Sequence, residues 1–163
     1  MSESFESDTV NVEGLDQLLK ALKQKAPVAR IGVLADKSSR TSDQKKGGPS
    51  NAEIGAAHEY GAPARGLPQR SFLRVPISDE LQKRMAKDGA LTENEFKQVI
   101  KQGSVVPWLK KISVLAEGIV KEAFATRGFG KWSPWKGNYE SKTGDVLVDT
   151  TQLRDSITSE VKE

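Results

Sequence analysis

Hydrophobic residues recur every three to four positions in four parts of this chain, with polar residues between them. This period is typical of helices that bury one face. It predicts a first helix after residue 13, a short helix over 77–87, another helix after Thr92 and the longest helix, which begins at Pro107. The apolar positions that define these helices are Leu15, Leu18, Leu19, Leu22, Ile77, Leu81, Met85, Phe96, Val99, Ile100, Leu109, Ile112, Leu115, Ala116, Ile119, Val120, Ala123 and Phe124.

Short apolar runs, several of them rich in β-branched residues, predict extended segments. We assign these segments to residues 8–13, 28–35, 72–77 and 157–161. Strands near both ends with helices between them predict an α+β fold, in which a small, mostly antiparallel sheet packs against helices on one face. A length of 163 residues predicts a single domain, 1–163.

Capping signals locate several helix ends. Ser50 and Glu53 have the spacing of a capping box, in which each side chain satisfies a free backbone donor of the first turn. Gly61 supplies the backbone freedom that ends this helix. Thr92 and Glu95 repeat the capping-box spacing and predict the start of a second capped helix.

Three segments lack the periodicity of a helix or a strand. Residues 36–50 are almost all polar, glycine or proline, and residues 126–144 contain four glycines and a proline. We expect these two segments to be long mobile loops. Residues 62–69 contain two prolines and a glycine, which is typical of a turn.

Composition excludes several classes of protein. The chain is 36% hydrophobic and 29% charged, as in ordinary soluble proteins, and no apolar run approaches the length of about 20 residues that spans a bilayer. Its first eight residues lack the apolar stretch of a signal peptide. The absence of cysteine excludes disulfides and thiolate metal sites, and a single histidine disfavours a histidine metal site. We therefore expect no metal, no cofactor, no membrane partner and assembly in a reducing cytoplasm.

The net charge of +3 conceals an uneven distribution. Residues 1–19 carry five acids and no base, whereas residues 20–46 carry eight bases and two acids. Such a local excess of positive charge can contact phosphate. The alternative is a solvated loop whose lysines keep it soluble, because no aromatic residue is interleaved to stack on bases. The candidate DNA contacts in this region are Lys37, Arg40, Lys45 and Lys46.

His58 is the first candidate for catalysis, because histidine titrates nearest to neutral pH. A catalytic histidine needs a nucleophile or metal and a group that orients it. Neighbouring positions on a helix point about 100° apart, so Glu59 is poorly placed to orient the ring. The sequence also lacks a GxSxG nucleophile motif and a phosphate-binding glycine loop. We expect His58 to pack at a helix end with its ring bonded to backbone, and we expect no enzymatic activity.

Aromatic and arginine residues are the candidates for partner contacts. Trp132, Trp135 and Tyr139 lie in the 126–144 segment, where no periodicity buries them. Either they fold back over the core, or a partner covers them, since tryptophan is enriched at interface hot spots. Arginines can make bidentate bonds to the carboxylates of a neighbouring subunit. The predicted partner-contact residues are Trp132, Trp135, Tyr139, Arg65 and Arg70.

Three motifs, in order, cover most of the chain: "NAEIGAAHEYG", "LPQRSFLRVPI" and "VLVDTTQLRDSITSEV". They resemble the pattern "AEIAxxHEFG…PxRxFLR" and the ending "LIDTGxLxxSIxYEV" of the phage virion-morphogenesis family. That family includes the tail-completion or neck proteins of long-tailed bacteriophages. Thr151 departs from the pattern, because it stands where the family has glycine.

The resemblance implies a structural virion protein at the head–tail junction, assembled in the host cytoplasm. It implies a hexameric homo-oligomeric ring around the DNA channel, between the head connector and the tail tube or terminator protein. A tail terminator that caps the tail tube is one alternative. Two others belong to different classes: a non-specific DNA-binding assembly factor that uses the basic residues, and a hydrolase that uses His58.

Overall fold

The computed structural model describes residues 12–24, 26–34, 48–134 and 151–163. These residues form helices and two strands in an order that places the strands near the two ends. A 3-10 turn, Pro63–Arg65, follows the second helix. The elements are α1 (Val12–Gln24), β1 (Val28–Val33), α2 (Asn51–Tyr60), α3 (Arg74–Lys87), α4 (Glu93–Gln102), α5 (Val106–Ala125), α6 (Gln152–Asp155) and β2 (Ile157–Lys162).

The two strands, which are far apart in the sequence, pair antiparallel. Val28 lies opposite Lys162, and Val33 lies opposite Ile157. α5 packs against both strands, and Ser159 of β2 donates a hydrogen bond to the Glu117 carboxylate of α5 at 2.9 Å. The predicted α+β class and the antiparallel pairing are confirmed.

The main core forms where the apolar side of α5 meets the sheet and the start of α3. Val120, Ala123 and Phe124 are at most 1% exposed. The rings of Phe72 and Phe124 lie 5.0 Å apart between centroids, at 43°. Leu153 of α6 and Ile157 of β2 complete this side of the core. The long helix is therefore the element on which α6 and the two strands meet.

A second, smaller cluster joins α3 to the beginning of α5. Met85, Ala90 and Ile112 are buried there, and Trp108 packs against them. The Trp108 indole nitrogen donates a hydrogen bond to the Ala90 carbonyl at 2.9 Å. This bond satisfies the polar atom of a ring that is otherwise packed on apolar side chains.

The expectation of an extended segment at 72–77 is wrong, because α3 begins at Arg74. Pro76 lies in its first turn, where the missing backbone N–H would have had no partner within the helix. The expected strand at 8–13 is also corrected at its end, since Val12 and Glu13 belong to α1. The rest of that segment lies outside the described residues.

The capping signals hold to different degrees. At α2 both bonds of the box are present: the Glu53 N–H donates to Ser50 Oγ at 3.2 Å, and the Ser50 N–H donates to the Glu53 carboxylate at 2.8 Å. At α4 only Thr92 acts as a cap, accepting from the Glu95 N–H at 3.4 Å. The Glu95 carboxylate pairs instead with Lys111 at 2.7 Å. The ion pair with α5 therefore takes the place of the second hydrogen bond of the capping box.

Thr151 adopts a positive φ of 57° at the start of α6. A β-branched residue is strained in this region, whereas glycine is not. We expect Thr151→Gly to raise the free energy of unfolding by about 0.5–1 kcal/mol, because relief of the strain outweighs loss of the hydrogen bond from Thr151 Oγ1 to Asp155. Thr151→Ala keeps the strain and loses that bond, so it should lower the stability. Urea denaturation of both variants checks this, and a destabilised glycine variant would contradict it.

Candidate partner-binding surface

The carboxylate of Glu59, at the end of α2, binds the beginning of α3. It accepts hydrogen bonds from the backbone N–H groups of Phe72 at 3.0 Å, Leu73 at 3.0 Å and Arg74 at 3.1 Å. It also accepts a hydrogen bond from the Ser71 hydroxyl at 2.6 Å. Glu59 is only 5% exposed. A single buried side chain therefore satisfies three backbone donors at a helix start.

This arrangement follows from the electrostatics of a helix terminus. The first N–H groups of a helix lack partners and carry a partial positive charge, so a carboxylate there is stabilising. Ser71 supports the same end of α3, because its Oγ accepts from the Val75 N–H at 3.0 Å. Glu59 belongs to the first sequence motif and Ser71 to the second. The two motifs thus form one structural unit, which we call the Glu59 clamp.

Residues 61–69, which we call the proline turn, connect the two halves of the clamp and are held at several points. The backbones of Ala62 and Leu67 bond to each other in both directions, at 2.9 and 3.1 Å. Gln69 donates its side-chain amide to the Glu59 carbonyl at 3.0 Å. A Cβ added at Gly61 would lie 3.0 Å from the Gln69 backbone nitrogen. The turn is therefore closed and fixed to the end of α2.

The exposed side chains here include an aromatic ring at the end of α2 and an arginine within the turn. Tyr60 is 69% exposed, and Arg65 is also exposed. Arg65 is accessible to a partner, and its partner contact stays a prediction. Tyr60 was missed by the sequence reasoning, although its position as the last residue of a capped helix before a glycine was a usable signal. An exposed tyrosine and arginine on a rigid turn are residue types that dominate binding hot spots.

The expectation that Trp132 is an exposed partner contact is corrected. Its side chain is 9% exposed and lies edge-on to Phe124, with centroids 5.8 Å apart and planes at 86°. Its indole nitrogen donates to the Ser71 carbonyl at 3.0 Å. Both the apolar ring and the polar nitrogen find partners in the core, so burial costs no unpaired donor.

Arg70 is corrected in the same way, because its side chain is only 1% exposed. Its Nε donates to the Ser133 carbonyl at 3.3 Å, and its backbone N–H donates to the His58 carbonyl at 2.8 Å. Arg70 therefore ties the proline turn to the segment that follows α5. Its role in the described structure is internal.

The 126–134 segment is held against α5 by turns. The Gly128 N–H donates to the Ala123 carbonyl at 2.7 Å, and the Trp132 N–H donates to the Arg127 carbonyl at 3.0 Å. Gly128 has a φ of 66°, and a Cβ there would overlap the Trp132 indole. Glycine is required at this position both for the backbone angle and for the space.

The remaining predicted site residues cannot be placed on this surface. Those of the 126–144 segment and of the basic loop lie outside the described residues. They are Trp135, Tyr139, Lys37, Arg40, Lys45 and Lys46.

A cavity of about 250 Å³ opens between α3 and the 126–134 segment. Arg74, Phe129 and Trp132 contribute to its lining. At its edge Lys131 pairs with Asp79 at 2.6 Å, and this bond raises the pKa of Lys131 and lowers that of Asp79. In the described part of the chain, no group of three or more histidine, aspartate or glutamate residues is arranged to hold a metal ion.

His58 lies half-buried near the end of α2. Burial lowers its pKa from 6.5 to about 4, and the positive charge of Arg70 acts in the same direction. Its Nδ1 atom is buried without a hydrogen-bond partner, so the expected bond from that ring atom to backbone is absent among the described residues. The His58 ring is therefore neutral at pH 7. The carboxylate of the next residue, Glu59, is hydrogen-bonded to the backbone at the start of α3.

The His58 pKa predicts a pH dependence of stability. The unfolded chain takes up a proton near pH 6.5 but the folded chain only near pH 4, so stability is fully present above pH 6.5 and is lost as the pH falls through this window. Because the ring keeps partial contact with water, we expect a loss of about 1–2 kcal/mol. His58→Gln should remove the slope between pH 6.5 and 5 in urea denaturation. An unchanged slope in that variant would assign it to other groups.

None of the described helices is long and apolar enough to cross a membrane. No protein-family model matches this chain, and the comparisons with curated proteins and with solved structures found no match.

Proposed function

We propose that this chain is a structural virion protein of a long-tailed bacteriophage. In this proposal it is a tail-completion or neck protein that forms a ring of identical copies at the head–tail junction. The ring joins the head connector to the tail and requires no chemical reaction. A ring of this kind uses two different surfaces of each copy, which meet head to tail and close by rotation.

The observation that carries the proposal is the Glu59 clamp. The resemblance to the virion-morphogenesis family depends on short motifs, and two of these motifs meet in the clamp through Glu59 and Ser71. Residues with a shared structural task explain why the two motifs occur together at this spacing. The third motif supplies α6 and β2, which pack on the same core through Leu153 and Ile157.

The proline turn provides further support. It is ordered by its own hydrogen bonds, and it presents Arg65 to solvent next to the exposed Tyr60 at the end of α2. A turn that is already fixed loses little conformational entropy when it binds, so it is suited to protein contact. Tyr60 stands where the family pattern has phenylalanine, another large aromatic residue.

The proposal predicts where the protein lies in a finished particle. We expect an epitope tag after residue 163 to be labelled by gold-conjugated antibody at the head–tail junction in electron micrographs of purified phage. Tails that have not yet joined heads distinguish a neck protein from a tail terminator. In the tagged phage, a tail terminator would be labelled at the end of the free tail. Particles that contain no label would contradict the proposal and favour a DNA-binding assembly factor.

A further inference from the structure

The 126–134 segment contains four consecutive residues whose backbone is left-handed. Their φ angles are 52° at Arg127, 66° at Gly128, 54° at Phe129 and 78° at Gly130. Glycine adopts such angles freely, whereas a residue with a Cβ is strained there. Strain of this kind persists only where surrounding contacts hold the backbone in place. Contacts with the rest of the fold therefore maintain the shape of this segment.

Side-chain bonds near the end of the segment attach it to the region around α3. The indole of Trp132 is buried, and its nitrogen is bonded to a backbone carbonyl. Arg70 donates to the Ser133 carbonyl at a longer distance, 3.3 Å. Lys131 pairs with Asp79 at 2.6 Å, but the two side chains are 60% and 38% exposed, and exposed ion pairs contribute little stability. Burial of the Trp132 ring is therefore the strongest of these attachments.

The space between the segment and α3 is incompletely packed. The cavity of about 250 Å³ is lined by Phe129 and Trp132 from the segment and by Val75 and Pro76 from α3. Side chains that face such a space lack the dispersion contacts that stabilise a close-packed core. Most other residues of the segment are exposed. The segment therefore has few buried contacts to lose when it separates from α3.

We infer that the 126–134 segment is a strap that opens as a unit while the rest of the fold stays intact. Opening relieves the strain at Arg127 and Phe129, and it exposes the Trp132 ring together with Val75 and Pro76 of α3. Local openings of this type cost less free energy than global unfolding. The strap therefore controls whether this apolar surface is available to another molecule. The opening is a property of the isolated chain and does not depend on the proposed function.

Hydrogen exchange of the full chain measures this opening. The N–H groups of Gly130 and Trp132 are hydrogen-bonded within the segment. Those of Val120 and Ala123 belong to the buried side of α5. We expect the first pair to share one opening equilibrium, with an open form at least about tenfold more populated than for the second pair and a weaker dependence on urea.

Two results of this experiment would overturn the inference. Equal opening of both pairs would mean that the segment separates from α3 only when the whole protein unfolds. Clearly different values for Gly130 and Trp132 would mean that the residues of the segment fray separately and do not open as a unit.

Paired substitutions isolate the contribution of backbone strain. Arg127→Ala and Arg127→Gly lose the same side-chain contacts, but only glycine relieves the strain, so the open form should be about fivefold less populated in the glycine variant. Gly130→Ala adds strain where the new Cβ meets no described atom within 4 Å beyond its chain neighbours, and it should increase opening about fivefold. Gly66→Ala, at a φ of 66° in an equally open position, is the matched control and should leave exchange of the segment unchanged. Equal opening of the two Arg127 variants would overturn the inference.

Cross-linking provides a further measurement, because the chain contains no cysteine. In the double variant Asp79→Cys/Lys131→Cys, a short bis-maleimide should join the segment to α3 at the position of the present ion pair. The cross-link should slow the exchange of Gly130 and Trp132 at least about tenfold, and the same variant without the reagent should keep the rapid exchange. Rapid exchange that persists after cross-linking would overturn the inference.

Discussion

Replacement of Glu59 by alanine should lower the free energy of unfolding by about 4 kcal/mol or more, which is enough to remove most folded protein from a marginally stable chain. Three backbone N–H groups and one hydroxyl would lose their acceptor at a site that is 5% exposed. A hydrogen bond to a charged group contributes about 1.5–3 kcal/mol, and water can replace only part of what is lost. Expression level and urea denaturation measure the effect.

Glutamine at the same position tests the charge separately from the shape. Glu59→Gln keeps one acceptor oxygen but places an amide N–H₂ group against backbone donors, so we expect a loss of about 2–3 kcal/mol. Glu53→Gln is the matched control, because Glu53 caps α2 in an exposed position, and its effect should be much smaller than that of Glu59→Gln. Similar effects of the two glutamine variants would show that the clamp does not stabilise the fold beyond an ordinary cap.

Trp132→Ala is the second change with a large expected effect, a loss of about 3–5 kcal/mol. It would empty a space beside Phe124 and leave the Ser71 carbonyl without its indole donor. Trp132→Phe should cost less, because it keeps an aromatic ring and loses mainly the hydrogen bond. Thermal denaturation followed by tryptophan fluorescence and circular dichroism measures both.

Gly128 provides an independent check on this part of the core, and the exposed Tyr60 provides a control outside it. Gly128→Ala should destabilise the protein by about 2 kcal/mol or more, since its Cβ overlaps the Trp132 indole at a positive φ. Tyr60→Ala removes an aromatic residue that is 69% exposed, and its stability should stay within about 0.5 kcal/mol of the parent. A stable Trp132→Ala variant would return Trp132 to the candidates for partner contact.

Local patterns predicted the elements whose signals lie within a few residues of each other. The Ser50–Glu53 box opens α2, Pro107 lies in the first turn of α5, and β2 covers the segment predicted at 157–161. In each case the bonds or the periodicity that define the element are local, so no knowledge of the rest of the chain is required. The α+β class followed from the order of these elements.

The features that sequence reasoning missed depend on contacts between distant residues. The helix at Arg74 begins where Glu59, fifteen positions earlier, supplies its cap, and a proline in its first turn resembled the interior of an extended segment. Trp132 and Arg70 are typical interface residues by type, yet the first bonds to Ser71 and the second to Ser133 across 61 and 63 positions of the chain. Residue type alone does not distinguish burial in the chain's own core from burial under a partner.

The sequence by itself determined the class of fold, the capped helix α2, the long helix α5 and the motifs that suggest a virion protein. Only the tertiary structure decided that Glu59 clamps α3, that Trp132 and Arg70 lie inside, and that Tyr60 lies outside. The physical reason is the range of the interactions. Caps and periodicity act within one or two helical turns, whereas burial and the satisfaction of buried polar groups depend on which distant elements meet.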